Sequence, residues 1–217
     1  MGKSQNKDRP ADVRELERRL VLLGNTVESL FADSVVALVE RGAESADELR
    51  AEDYKAHEQW REVDGLCVEL LRDGRAEDDH FNHVAAALKI AADLRRIADE
   101  SMRIGEDLRA CAASSLLEAD PSGLLPQMVE LAQEMLSEML GAFVDHDGTR
   151  ASALHLVFRE LASARTEAGG KLPQAVEDGS LAAAVGMALF GVTQRLERIG
   201  DEVLDACNQV THLNSGQ

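Results

Sequence analysis

Three carboxylates near the C-terminal end of the chain stand four residues apart, at Glu197, Asp201 and Asp205. On an α-helix this spacing places them one above another on a single face. Like charges at that spacing cost about 0.2–0.5 kcal/mol per pair. A bound divalent or trivalent cation would offset this cost, because hard metals prefer several carboxylate oxygens. The alternative is a solvated face neutralised by Arg198, and the spacing alone favours that alternative.

The segment that carries these carboxylates occurs twice in the chain. The sequence LRRIADE at residues 94–100 returns as LERIGDE at residues 196–202, an offset of 102 residues, and five of the seven positions are identical. An internal repeat at nearly half the chain length indicates two copies of one structural unit. The sequence therefore predicts two related halves.

The two copies differ at one position that bears on metal binding. Arg95 stands in the first copy where Glu197 stands in the second, whereas Asp99 and Asp201 are equivalent. Together with Arg103, Arg95 gives Asp99 positively charged neighbours at helical spacing. Nothing in the first copy requires a cation. A metal is therefore expected in the second half, or at a site that needs both Asp99 and Asp201.

The elements that position these residues are predicted to be helices. Apolar residues make up 45% of the chain, aromatic residues 3%, and proline occurs 4 times, so Leu, Ala, Val and Ile must fill a helical core. Apolar side chains recur at helical spacing between capping residues and glycines. The predicted helices run from about 12 to 41, 45 to 73, 77 to 117, from the break at 120–123 to 144, 149 to 168, and from the turn at 178–180 to 213.

Six helices and an internal repeat predict an all-α protein of two tandem, sequence-related three-helix bundles. We expect a disordered tail at 1–10, a first bundle at 11–119 and a second bundle at 120–213. The boundary is placed where Asp120, Pro121 and Gly123 break the chain. The two bundles could stand side by side or share one continuous core.

The charge of the chain limits its partners. There are 40 acidic and 23 basic residues, a net charge of −17. This balance repels phosphate backbones, so nucleic acid is not expected to bind, and it disfavours docking on anionic lipid. It suits solubility, cations, or a basic surface on a partner protein.

Cysteine usage and apolar runs indicate the compartment. Cys67, Cys111 and Cys207 are widely spaced and form no C-x-x-C pair, which excludes a zinc ribbon and is typical of small core residues in a reducing cytosol. Residues 1–10 are polar and charged, unlike a signal peptide. The longest apolar run, residues 181–192, is too short to cross a bilayer. We expect a soluble cytoplasmic protein without membrane insertion.

A metal-binding or di-iron helical protein with a redox or storage role is the alternative. Glu77 and His80 form one Glu-x-x-His pair, but a carboxylate-bridged di-iron site needs two such pairs on different helices. His80 and His83 could also ligate a metal, although two surface histidines at a helix start are the simpler interpretation. No nucleophile motif, P-loop or dinucleotide fingerprint occurs, so no catalytic residue is predicted and no enzyme is expected.

The repeated segment resembles the signature of the PhoU family of bacterial phosphate-uptake regulators. That family carries a Glu-x-x-x-Asp pattern in the third helix of each of two three-helix bundles. The sequence LERIGD at 196–201 is similar to the second signature, and residues 87–94 resemble the run before the first. Glu58 and Asp64 are acidic where the family often is. The chain departs from the family pattern at Arg95, which stands in place of the signature Glu. It also has Ala98 in place of Gly and Asn82 in place of Arg. Its fifth helix lacks the acidic pattern of the second.

The resemblance implies a non-enzymatic, cytoplasmic negative regulator of phosphate uptake and phosphate-starvation signalling. Such a protein is an adaptor between the phosphate ABC transporter ATPase and a sensor histidine kinase, and it thereby controls transcription. The resemblance also implies a homodimer. It implies further that Glu197, Asp201 and Asp99 bind a metal ion, namely Fe, Zn, Mg or Mn, with Glu197 and Asp201 matching the family pattern fully and Asp99 matching half of it.

Overall fold

The structure, a computed structural model, confirms the all-α prediction. Six long helices make up the described part of the chain: α1 Ala11–Val39, α2 Glu44–Arg72, α3 Asp78–Ala110, α4 Leu125–Asp145, α5 Gly148–Glu177 and α6 Ala183–Ser215. The described residues are 11–39, 44–72, 78–110 and 119–215, of which 37–39, 44–46, 78–80, 106–110 and 214–215 are described by their backbone only. The predicted tail at 1–10, Cys111 and Glu77 lie outside the described residues.

Most of the described helix ends lie within a few residues of the predicted positions, but α5 does not. It was predicted to end at Ala168 and instead continues to Glu177, through two glycines and through Pro173. Glycine and proline disfavour a helix interior by about 1 and 3 kcal/mol. The longer helix buries Leu172 and Ala175 in the core while Pro173 stays exposed. Tertiary burial therefore outweighs the local helix-breaking signal.

The two halves share one continuous core. Buried Leu, Ile, Val, Met and Ala side chains from all six helices belong to a single cluster. Helices α1–α3 pack together, α4–α6 pack together, and α3 joins α6 along the seam between the halves. At a second contact between the halves, α1 lies so close to α4 that a Cβ on Gly24 would be 2.3 Å from Leu140 Cδ2. Of the two arrangements left open by the sequence, the shared core is the one observed.

The turn between the halves is built by one carboxylate. Asp120 Oδ1 accepts hydrogen bonds from the backbone N–H and the hydroxyl of Ser122, and its Oδ2 accepts from the N–H of Leu125 at the start of α4. Gly123 has a φ of +68°, a left-handed conformation that favours glycine. The Asp-Pro-Ser-Gly break predicted from the sequence is thus a capped turn.

Among the described residues, none of the helices has both the length and the apolar character required to span a membrane.

Candidate functional site: the groove between the repeated segments

The seam between α3 and α6 brings the two copies of the repeat face to face. They enclose an open groove of about 450 Å³ whose lining is entirely charged: Arg96, Asp99, Glu100 and Arg103 from α3, and Arg198, Asp201 and Glu202 from α6. Asp99 and Asp201, which the sequence predicted as metal ligands, therefore lie in one groove. Glu197, the third predicted ligand, is not part of its lining.

Equivalent ion pairs cross the seam in both directions. Arg96 Nε lies 2.5 Å from Glu202 Oε2, and Arg198 Nη1 lies 3.5 Å from Glu100 Oε1. Arg96 and Arg198 are equivalent in the repeat, as are Glu100 and Glu202. The seam therefore has an approximate two-fold relationship, which the repeat itself generates.

Glu100 is the most connected carboxylate of the groove. It is 8% exposed, and it accepts hydrogen bonds from Arg103 at 2.8 Å, Arg195 at 3.0 Å and Arg198 at 3.5 Å. Buried carboxylates are stable when charged donors satisfy them. Helical spacing alone gave no role for Glu100. Its identity with Glu202 in the repeat was the signal that pointed to it.

Asp93 is a second buried acid, and its role could not be predicted from the sequence. It is 4% exposed and is hydrogen-bonded to Arg96. Burial raises the pKa of Asp93 to about 7, with Glu202 and Asp205 contributing and Arg96 opposing the shift. A protonated carboxyl group at this position lowers the density of negative charge along the seam.

In the first half, an arginine lies between the acidic groups of the predicted signature. Arg95 Nη1 donates to Asp53 Oδ1 at 2.8 Å, and Arg95 Nη2 donates to Asp99. Asp53 lies on α2, so one guanidinium joins carboxylates from two helices. The sequence predicted the contact between Arg95 and Asp99 but not Asp53, because the register of α2 against α3 is set by tertiary packing.

In the second half, Glu197 also has a cationic partner. Arg165 Nε on α5 lies 3.1 Å from Glu197 Oε2, and its guanidinium carbon lies 5.4 Å from the centre of the Phe190 ring. Asp201 has a raised pKa, caused first by partial burial and then by Glu197 and Asp205. The sequence had pointed to Arg198 as the neutralising residue, but Arg198 contacts Glu100 across the seam.

The three predicted ligands do not form a common coordination site. Asp99 accepts a hydrogen bond from Arg95, and Glu197 forms an ion pair with Arg165 by distance but accepts no hydrogen bond from its Nε. Of these three carboxylates, Asp201 alone has no ion pair among the described residues. No group of three or more His, Cys, Asp or Glu side chains in the described part of the chain is arranged to hold a metal. The donor set therefore does not fit a resident metal ion, and guanidinium groups supply the positive charge instead.

His83, for which a surface position was the favoured interpretation, is buried instead. It is 7% exposed, and its Nε2 lies 2.7 Å from Glu17 Oε1 on α1, with His146 Nε2 4.0 Å from the same oxygen. The first turns of α3 pack against α1, which covers the imidazole. The side chain of His80, its predicted companion, lies outside the described atoms.

This architecture defines a class: six-helix proteins made of two related bundles joined along the third helix of each, with charged repeats at the junction. Residues 20–108 match the family model described as the PhoU domain. The resemblance to the PhoU family is therefore confirmed for these residues of the first half.

Relatives and solved structures extend the match to both halves. Phosphate-specific transport system accessory protein PhoU homologs from Pseudomonas putida and Rhizobium meliloti (strain 1021) are 24% and 23% identical, over 95% and 94% of this chain and 80% and 86% of theirs. The crystal structure of PhoU from Pseudomonas aeruginosa aligns with a TM-score of 0.87 at 22% identity, covering 95% of this chain and 99% of that one. The phosphate transport system regulatory protein PhoU from Streptococcus pneumoniae aligns with a TM-score of 0.85 at 20% identity, covering 94% and 96%. The two structures share its fold.

Proposed function

We propose that this protein is a negative regulator of phosphate uptake and of the phosphate-starvation response. The observation that carries the proposal is its similarity, over 94–95% of its length, to accessory proteins of the phosphate-specific transport system. The shared fold of two PhoU crystal structures supports it. Phosphate is thus the nutrient whose transport the protein regulates.

In this proposal the protein works by contact with other proteins and not by catalysis. It is a cytoplasmic adaptor between the transporter ATPase and a sensor histidine kinase. The net charge of −17 supports docking on basic partner surfaces, because opposite charges steer association and fix its orientation. The groove supports a structural role for the repeat, since most of its charged groups are engaged with one another.

A reporter experiment tests the regulatory role. Alkaline phosphatase activity is measured in a strain deleted for this gene and grown with plentiful phosphate. We expect high activity that falls when the wild-type gene is restored on a plasmid and stays high with the empty plasmid. Activity as low as in the parent strain would overturn the proposal.

Metal binding at Asp99, Glu197 and Asp201 stays a prediction, and the geometry gives it no support. A metal ion would first have to displace Arg95 from Asp99 and Arg165 from Glu197. Iron and zinc analysis of purified protein measures occupancy directly. The alternative, a di-iron protein with a redox or storage role, rests on Glu77 and His80, whose side chains lie outside the described atoms. The homodimer also stays a prediction, which sedimentation equilibrium tests.

A further inference from the structure

Two opposite faces of the molecule differ in how their charges are balanced. Helices α1, α3, α6 and α4 pack in a ring, so the exposed strips of α1 and α4 lie side by side on the face opposite the α3–α6 seam. At the seam, acidic groups are paired with arginines. On the opposite face the sequence offers no such partners, because residues 20–40 and 110–149 contain neither lysine nor arginine.

The exposed strips of α1 and α4 therefore carry uncompensated negative charge. Asp33 on α1 and Glu130 and Glu134 on α4 are exposed, and they form no ion pair within the described part of the chain. Glu130 and Glu134 are four residues apart on one helix, so they also repel each other. Arg150 neutralises only the far end of α4, where its Nε lies 2.5 Å from Glu138 Oε2. The central part of this face is negative.

Aliphatic side chains are exposed among these carboxylates. Leu22 and Val36 on α1 are 44% and 50% exposed, and Val144 at the end of α4 is 53% exposed. Covering such side chains with apolar groups of a partner is favourable, and interfaces combine an apolar centre with complementary charge around it. The α1–α4 face is the surface formed by these three side chains together with Asp33, Glu130 and Glu134.

The charge of the α1–α4 face selects among its possible occupants. A two-fold interface with a second copy would bring this negative surface against itself, and an anionic lipid surface would be repelled in the same way. A positively charged protein surface is attracted and oriented by it. Both halves contribute to the face, and they are in close contact beneath it at Gly24 and Leu140, so a partner would contact both halves at once.

We propose that the α1–α4 face is a docking surface for a partner protein whose own surface is positively charged and carries apolar side chains. Lysine and arginine side chains of the partner would meet Asp33, Glu130 and Glu134. Its apolar side chains would cover Leu22 and Val36. The inference rests on the proposed function and deepens it, because it locates the surface through which the chain reaches the transporter ATPase or the sensor kinase.

Binding of the full-length protein to two probes tests the charge of the face. The probes are the purified transporter ATPase and the purified cytoplasmic part of the sensor kinase, and biolayer interferometry measures each Kd. The double variant Glu130→Lys, Glu134→Lys is compared with Glu160→Lys, Glu167→Lys, which changes the net charge equally at exposed positions of α5. We expect the α4 variant to raise the Kd for at least one probe by about tenfold or more. The α5 variant should bind as the wild type does.

A substitution that leaves the charge unchanged tests the aliphatic part of the face. Val36→Ser is compared with Leu156→Ser, which removes an exposed aliphatic side chain from α5. Only Val36→Ser should raise the Kd for the same probe, by about threefold to tenfold. If the lysine variant of α4 folds poorly by circular dichroism, Glu130→Gln with Glu134→Gln takes its place and should raise the Kd by a smaller factor.

Three results would overturn the inference, and they separate it from the proposed function. If the wild type binds a probe and the α4 and α5 variants bind it equally well, the inference fails and the proposed function stands. If the wild type binds neither probe, both fail. A wild-type dimer that dissociates in the α4 variant, as measured by sedimentation equilibrium, would assign the face to a second copy and would also overturn the inference.

Discussion

Arg96 and Glu202 are 106 residues apart in the sequence and meet at 2.5 Å across the seam between α3 and α6. Their repeat equivalents, Arg198 and Glu100, meet across the same seam at 3.5 Å. The two pairs are not energetically equal, because Glu100 is buried and also accepts from Arg103 and Arg195. The junction between the halves therefore depends more on Glu100 than on Glu202.

Replacing Glu100 with glutamine should lower the free energy of unfolding by about 2 kcal/mol, because charge-assisted hydrogen bonds to a buried carboxylate would be lost. The matched change, Glu202→Gln, removes a more exposed acid and should cost about 1 kcal/mol or less. Urea unfolding monitored by circular dichroism measures both. Equal losses in the two variants would contradict the unequal roles.

Asp93 should make the protein less stable as the pH rises. Burial raises its pKa from 3.8 to about 7, so the folded chain holds this proton more tightly than the unfolded chain. The contribution to stability is complete below pH 3.8 and is lost as the pH rises to about 7. Asp93→Asn should remove this loss, which amounts to as much as about 1.4 kcal/mol per pH unit. Parallel stability profiles for wild type and variant between those pH values would refute the assignment.

Gly200 should not tolerate a side chain. A Cβ there would lie 2.7 Å from Leu161 Cδ2 and 2.9 Å from Phe158 Cδ2, so these two side chains of α5 would have to shift within the packed interface. In Gly200→Ala, overpacking should lower the free energy of unfolding by about 1–3 kcal/mol. The higher helix propensity of alanine should offset about 1 kcal/mol of that loss.

Gly170→Ala is the control for that substitution, because nothing lies within 4 Å of a Cβ at this helical, exposed position. It should be neutral or stabilising by about 0.5–1 kcal/mol. Thermal unfolding distinguishes the two variants. A Gly200→Ala protein as stable as Gly170→Ala would show that the α5–α6 contact is looser than the structure has it.

Cys67 and Cys207 should be unreactive in the folded protein. Burial raises the pKa of both thiols to about 12, and Asp64 adds to the effect at Cys67. The thiolate is the reactive form, so alkylation at neutral pH should proceed only after unfolding. Peptide mapping of the alkylated protein, with and without urea, identifies the modified cysteines. Rapid native labelling at either of these two positions would contradict their burial.

The sequence predicted the helices and the turn at Asp120, because these depend on local periodicity and capping. The repeat is visible in the sequence itself. It could not predict that Glu197 pairs with Arg165, since this contact depends on how α5 packs against α6. It also placed the end of α5 at Ala168, because glycine and proline are strong local signals, whereas burial of Leu172 and Ala175 is a tertiary effect. His83 was misplaced for the same reason, since α1 covers it.

Epistasis between this gene and the sensor kinase gene tests whether the protein represses the phosphate-starvation response through the kinase. Alkaline phosphatase activity is measured with plentiful phosphate in the parent strain, in the strain lacking this gene, and in the strain lacking both genes. We expect high activity in the single deletion and low activity in the parent and in the double deletion, because under the proposed function the protein restrains the kinase. Low activity in the single deletion, or high activity that persists without the kinase, would contradict it.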